Sequence, residues 1–421
     1  MSNNKLYDIC IIGAGASGLA AAIESSRRGL SCVVVDKNKK AASKLYGTGN
    51  GRCNLTNDNW DDDVYYGNTF PFEVFDHIYT LTGKRPRNFI IDYFKDLGIS
   101  TFNKNGYYYP ESMQASSVVW ALLDAAKGYG AEIINSFEIF DIDINSKDDI
   151  FYYTVFSTET DEEGNRVRIN ARNILLASGG LSQVKYERTN NNPEVLVRDS
   201  LGIKINEFKP GLCPVSVNED LSSLAGVRVK VRMNSGNKTE VGELQITEKL
   251  VSGIITFNMS YYMEPGSKIK ISVLPRISTD EFVESFKSIR LKLPEKPLLL
   301  FLNGYVNDKL ARYFIDNQYG EIGNNIRIKD ITETGIRELY DEMTGWTLTV
   351  KEKKGFEMSQ ASIGGIPTHL INPETMKLNG DSPVYKGLYA TGEITDVIGK
   401  CGGYNLTYAF ITGYLAGRSI K

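Results

Sequence analysis

The sequence predicts an α/β protein: an open, mostly parallel sheet flanked by helices, interrupted by an inserted β-barrel or sandwich and a helical cap. Three observations predict it. The chain begins with an apolar strand, a glycine turn, a helix and a second strand, in that order. Its middle switches to short runs alternating apolar and polar residues between Gly, Asn and Pro, the pattern of antiparallel strands. The last stretch, from about residue 356, returns to strand, turn and helix.

Ile9 to Ile12 reads as a buried parallel strand and runs directly into Gly13-x-Gly15-x-x-Gly18. Leu19 to Arg28 favours helix, and Ser31 to Val35 is a β-branched second strand closed by Asp36 and Lys37. Gly13 permits the tight turn, Gly15 the close approach of a pyrophosphate, and Gly18 the packing of helix on strand. Ala16 and Ser17 open the helix, whose free N–H groups and positive dipole end suit anionic phosphates. Asp36 can accept both hydroxyls of an adenosine ribose. An acid here, rather than Arg, selects an unphosphorylated ribose, hence FAD or NAD and not NADP. This unit is Rossmann-like and by itself does not choose between the two.

The 421 residues suffice for two or three domains. A formal charge of −3 gives no global footprint for nucleic-acid binding, although it leaves room for a local basic patch. The polar N-terminus enters the first strand at once, and no apolar run is long enough for a bilayer, so neither a secretory signal nor a membrane span is expected. Five cysteines without a CxxC pair suggest reduced thiols in a cytoplasm. With only His77 and His369, no multi-histidine metal centre is expected.

Downstream of Asp36, glycines 47, 49 and 51 with Asn50, Asn54 and Asn57 read as an irregular loop, with Lys44 and Arg52 supplying cations. Rich in residues that tolerate positive φ, it can wrap a diphosphate and a flavin ring closely. Phe72 to Leu81, Pro86 to Leu97 and Ala115 to Gly128 read as helices, Tyr107 to Tyr109 as a short strand, and Ile133 to Phe140 as the third strand of the nucleotide-binding sheet. Ile150 to Phe156 and Val167 to Ile169 form a meander, and Asn173 to Ser182 is a buried strand ending in a small-residue turn. The expected domains are 1–191 and 356–421 for the nucleotide, 192–278 with 344–355 for the β insertion, and 279–343 for the helical cap. No second GxGxxG occurs in the insertion, which speaks against a separate NAD(P)H domain.

The C-terminal segment separates the two cofactors. Leu388 to Ala390 is a strand, Gly392-Glu393 a turn, and Tyr404 to Ile420 a helix entered through Gly402-Gly403. An NAD enzyme has no need of this returning unit, whereas a flavin does. Glu393 can bind ribityl hydroxyls, and the N–H groups of the Gly403–Leu406 turn, with Tyr404 and Asn405, can stabilise charge at the flavin N1/O2 edge.

The run TGNGRCNLTN resembles the TGGGRCNxTN signature of the HI0933-like flavoproteins, which include aminoacetone-oxidase-type and BaiN/YhiN-type enzymes, and GEITDxxGxxGGYN resembles their C-terminal motif. Gly106, Pro110, Ser112 and Ala115 match a third motif, in which Tyr107 replaces the usual Arg. Of THxGxSGP only Thr247, Ser252 and Gly253 remain, with Glu248 and Ile254 in the His and Pro positions. The family's STGDG segment after the Gly179-Gly180 turn is replaced by VKYERTNNNPEVLVRDSLG. The resemblance implies a two-dinucleotide-domain flavoprotein fold and non-covalent FAD. Gly51, Cys53, Asn54, Ala177, Ser178 and Gly179 would lie along the cofactor, and the main chain at Ile139 against its adenine.

Hydride exchange at flavin N5 is then the expected chemistry. Candidate proton donors are Tyr404, Cys401, Cys53, Lys400 and Arg52, with His369 a further candidate acid. A dithiol pair of Cys53 and Cys401 is the weaker idea, since no local CxxC supports it. Three activities follow: reduction of an activated C=C in a small molecule with NAD(P)H as transient reductant, oxidation of a small amine, or reduction of uridine in RNA to dihydrouridine.

Overall fold

The computed structural model describes residues 5–147, 150–183, 192–320 and 325–421, so the first part of the replaced segment, residues 184–191, lies outside the described part. The chain divides into two compact units. The first comprises residues up to Lys209 together with Ala361–Lys421, and the second is Pro210–Gln360.

In the first unit, β1 (Leu6–Ile12) and β2 (Cys32–Val35) pair in parallel around α1 (Ala16–Arg27). Every residue of β2 is buried, as its continuous apolar run requires of a strand covered on both faces. Helices α2 (Phe70–Thr82), α3 (Pro86–Asp96) and α4 (Ala115–Gly128) follow, then β3 (Glu132–Ile134), β4 (Ile139–Lys147), β5 (Ile150–Thr160) and β6 (Arg166–Leu176). The sheet order is β3-β2-β1-β6-β5-β4.

Three expected elements take a different form. The strand read over Ile133 to Phe140 breaks after Ile134. Ser136 is left-handed (φ 56°), and the amides of Ser136 and Phe137 donate to the carbonyls of Asn38 and Asp36 at 3.0 and 2.9 Å, which pulls the chain out of the sheet. The meander strand at Val167 and the core strand at Asn173 are one element, because β6 pairs with β5 in its first half and with β1 in its second. The glycine-rich stretch read as a loop starts as a helical turn at Ser43 and loses helical geometry at Thr48–Asn50.

The second unit is built on a closed barrel of β7 (Val215–Val217), β8 (Arg228–Ser235), β9 (Lys238–Ile246), β10 (Val251–Ser252), β11 (Lys268–Ser272) and β12 (Trp346–Lys353), in the order β7-β10-β9-β8-β11-β12. Between β11 and β12 come α5 (Thr279–Lys292), α6 (Leu298–Leu302), α7 (Asp308–Tyr319) and α8 (Glu333–Gly345). The periodic stretch from Thr279 to Tyr319 is broken near Pro294 and Pro297, where a proline ring cannot continue a helix. Barrel residues Val231, Met233 and Ile269 share one core with Phe282, Phe286 and Phe314 of these helices.

On returning to the first unit, β13 (Leu388–Ala390) adds to β6 in parallel, and α9 (Tyr404–Ser419) lies against α1. Small residues allow this approach. A Cβ on Gly413 would stand 2.1 Å from the Ser17 carbonyl oxygen, and one on Gly417 2.6 Å from that of Ala21.

Candidate functional site

The glycine turn after β1 separates into two kinds of position. The Gly13 amide donates to Val35 O at 2.8 Å with φ +107°, and a Cβ there would come within 2.4 Å of Ala177 O. A Cβ on Gly18 would fall 1.9 Å from Gly13 O. Both glycines are therefore required by the protein's own packing. Gly15 is not: no described residue lies within 4 Å of its Cβ direction, and its φ of −90° suits any residue. It caps α1 with no side chain bonded to the first-turn N–H groups of a helix that begins at Ala16 and Ser17. An open space facing free N–H donors is what a pyrophosphate needs.

Asp36 closes the other side. Its carboxylate accepts from Ala14 N and Asn38 N, each at 2.8 Å, and from Asn38 Nδ2 at 2.9 Å, so it fixes the glycine turn while retaining acceptor capacity. Lys37 is exposed beside it, and Ile139 is half-buried at the start of β4.

Beyond β6, the turn Ala177-Ser178-Gly179-Gly180 is held to β1 by Ala177 N donating to Ile12 O at 2.9 Å. A polar cluster forms at its end. Lys44 Nζ reaches Gly180 O at 3.3 Å, Ser182 Oγ at 3.1 Å and Glu393 Oε2 at 3.5 Å. Glu393 Oε1 accepts from Ser182 Oγ at 2.9 Å and Ser362 N at 2.8 Å. Ser362 Oγ in turn accepts from the amides of Leu181 and Ser182. Sequence reasoning found Lys44 and Glu393 but missed Ser182 and Ser362. The serine ending the SGGLS turn was the one available signal, and nothing local marked Ser362.

The loop motif and the C-terminal motif interlock. Backbone at Ala42, Gly49, Asn50, Gly51 and Cys53 is left-handed. Asn57 Nδ2 donates to Gly402 O at 3.1 Å, Thr407 Oγ1 to Leu55 O at 3.1 Å, and a Cβ on Gly403 would stand 2.9 Å from Thr56 Cα. Asn405 clamps Gly399 through both amide atoms, at 2.7 and 2.8 Å. Gly403 (φ +94°) caps α9, again without a side-chain cap, and the Asn405 and Leu406 amides lie in its first turn. Around these two helix starts sit buried oxygens that find no hydrogen-bond partner among the described residues: Thr391 Oγ1, next to the Ser17 hydroxyl that donates to Thr391 O, and Asn54 Oδ1 and Thr56 Oγ1, under Gly403. Such orphans are costly to leave unmade and fit polar contacts to a bound group.

The expected proton donors fare unequally. Tyr404 is buried and its hydroxyl donates to Asn59 O at 2.6 Å, with Trp60 edge-on at 5.3 Å between ring centroids. In this arrangement its phenolic hydrogen points to a main-chain carbonyl. His369 is exposed on the short turn Thr368–Leu370, away from the interlocked motifs in sequence and in hydrogen bonding. Cys53 is fully buried and desolvation pushes its thiol up to about 12, so it stays protonated and unreactive. Arg52 is exposed and Cys401 half-buried. No group of His, Cys, Asp and Glu among the described residues could hold a metal ion.

An N-terminal Rossmann unit whose motifs lock onto a C-terminal strand–helix unit defines a flavin-type nucleotide site. The chain belongs to the HI0933-like family: the HI0933-like protein Rossmann domain matches residues 7–419. It is 30% identical over 430 residues to the 3-dehydro-bile acid delta(4,6)-reductase of Clostridium scindens, covering 98% of each chain. It is 26% identical over 417 residues to the ribosomal RNA dihydrouridine synthase of Haemophilus influenzae, again covering 98% of each. Among solved structures it resembles the open conformation of a flavocytochrome c3 fumarate reductase, with TM-score 0.51 and 15% identity over the whole of this chain and 78% of that one, a likeness of fold. The chain is an FAD-dependent oxidoreductase.

Proposed function

We propose that this enzyme reduces a carbon–carbon double bond conjugated to a carbonyl in a small molecule, with NAD(P)H as the transient reductant. Similarity over nearly the full length to a protein named as a delta(4,6)-reductase supports the reaction class. The observation that carries the cofactor site is the pair of uncapped helix starts, at Gly15 and Gly403, each bordered by orphaned buried oxygens.

Bound there, FAD would supply hydride transfer at N5. The chain's own groups do the rest. The amides of Ala16 and Ser17 meet the pyrophosphate, and Asp36 the adenosine ribose, with the main chain at Ile139 near adenine. Glu393, oriented by Lys44, Ser182 and Ser362, accepts ribityl hydroxyls. The first-turn amides of α9 stabilise negative charge at the N1/O2 edge. Arg52 and Cys401 are the proposed groups for proton delivery to the carbon next to the carbonyl. Cys53 acts in packing and takes no redox part.

Anaerobic mixing tests this reading. NADH or NADPH should bleach the flavin, and a conjugated enone should restore its colour faster than air does. Reduction by a small amine, with reoxidation by O₂ alone, would sink it in favour of an oxidase. A second reading, reduction of uridine in RNA to dihydrouridine, is supported by the name of the Haemophilus influenzae relative, which this chain matches over nearly its whole length.

A further inference from the structure

The outer face of the barrel carries a charge pattern at odds with the chain as a whole. Lys and Arg number 48 against 51 Asp and Glu, yet two neighbouring strands present five cations and no carboxylate on their outward positions. These are Arg228, Lys230 and Arg232 on β8, and Lys268 and Lys270 on β11, all exposed. The alternation is strict: Val231, Met233, Ile269 and Ile271 between them are buried. Register brings the two rows together, with Arg232 opposite Ser272 and Asn234 opposite Lys270. On the flanking strands, the outward residues opposite are Gln245, Glu243, Val241 and Thr239 on β9, and Thr347 and Thr349 on β12. Glu243, across from Lys230, is the one acid in these rows.

Among the described residues none of the five cations forms an ion pair, although many surface cations elsewhere in the chain do. Arg232 donates instead to Pro275 O at 3.1 Å. Like charges so close repel and cost stability, so an array of this kind is explained by an anionic partner rather than by folding. Alternate residues on a strand are about 6.8 Å apart, giving three cations along roughly 14 Å of rigid backbone. Arg guanidinium forks suit phosphate oxygens. A lipid surface fits less well: bilayer attachment needs apolar insertion beside the charge, and Val241 is the one large apolar residue exposed on these strands.

We propose that this face docks the sugar–phosphate backbone of RNA. The choice of RNA rests on the second reading above, while the face itself rests on the unpaired cations.

The test uses the full-length flavin-loaded protein and a fluorescently labelled RNA hairpin, with binding read by anisotropy from low to physiological salt. Binding should weaken with salt along a log–log slope of about −4, as expected for four or five phosphate contacts. The triple variant Lys230→Glu, Arg232→Glu, Lys270→Glu should lose about 30-fold or more in affinity at low salt and flatten that slope by about 2. Lys95→Glu with Lys127→Glu, exposed cations of the first unit, should stay within about twofold of wild type. Unchanged flavin absorbance and circular dichroism would establish that the triple variant is folded. Wild-type affinity in the triple variant, or no RNA binding at micromolar protein, overturns the proposal. Tighter binding to duplex DNA or to phosphatidylglycerol vesicles than to RNA overturns it too. Dihydrouridine is scored separately: docking without conversion upholds the face and removes the second reading.

Discussion

The two units start their longer helices in different ways. In the inserted unit, α5 starts with a full capping box of Ser278 and Glu281, α7 is capped by Asn307 and α8 by Thr332. In the first unit, none of α1, α2, α3, α4 and α9 has a side-chain cap. Prolines at the first turns of α2 and α3 remove an orphan donor there. α4 is uncapped too, and α1 and α9 start behind Gly15 and Gly403, which have no side chain to cap them. Backbone strain divides in the same way: all but Leu212 of the described non-glycine residues with left-handed φ belong to the first unit. The longer helices of the inserted unit satisfy their own N-termini with side chains, whereas the first unit keeps side chains off the two helix starts proposed to meet the cofactor.

That contrast can be attacked at several points. The largest effect belongs to Gly18→Ala. With its Cβ 1.9 Å from a carbonyl oxygen, the substitution should cost at least about 3 kcal/mol in urea unfolding, and a loss below about 1 would mean the turn is not packed as described. Next is Asn50, left-handed at φ 57° where the resembling family has glycine. Asn50→Val should destabilise by about 1–2 kcal/mol and Asn50→Gly by almost nothing. In the inserted unit, Ser278→Ala should cost about 1 kcal/mol and leave FAD affinity untouched. If flavin binding fell with it, the division of labour between the units would fail.

A further effect is read with pH. Burial pushes the Cys32 and Cys53 thiols up to about 12. The unfolded chain ionises them near pH 9 while the folded chain keeps them protonated. Stability should therefore be full below pH 9 and decline between pH 9 and 12, and Cys53→Ala should reduce that decline. A profile in which stability rises over this window would contradict the burial of both thiols.

Much of this was legible in the sequence because it depends on local rules. The order Ile9–Ile12, GxGxxG, helix and Asp36 is written in adjacent residues, and so is the strict alternation of β8. What escaped depended on partners far along the chain. β6 is a single strand because β5 serves its first half and β1 its second, which no window over Val167 or Asn173 can report. The break at Ser136 is made by carbonyls of Asp36 and Asn38, a hundred residues away in sequence. Ser362 enters the Glu393 cluster across the whole insertion. The partner of the Tyr404 hydroxyl, Asn59 O, lies 345 residues away and is named by no local motif.

Gly15 offers the sharpest single measurement, since no described residue comes within 4 Å of where its Cβ would stand. Gly15→Asp would place a carboxylate over the start of α1, supplying the missing cap and repelling a pyrophosphate. FAD titration of the deflavinated variant should show affinity lower by about 100-fold or more, while cofactor-free stability is unchanged or higher by a few tenths of a kcal/mol. A Gly15→Asp protein that binds FAD as tightly as wild type would contradict the claim that this helix start is held open for the cofactor.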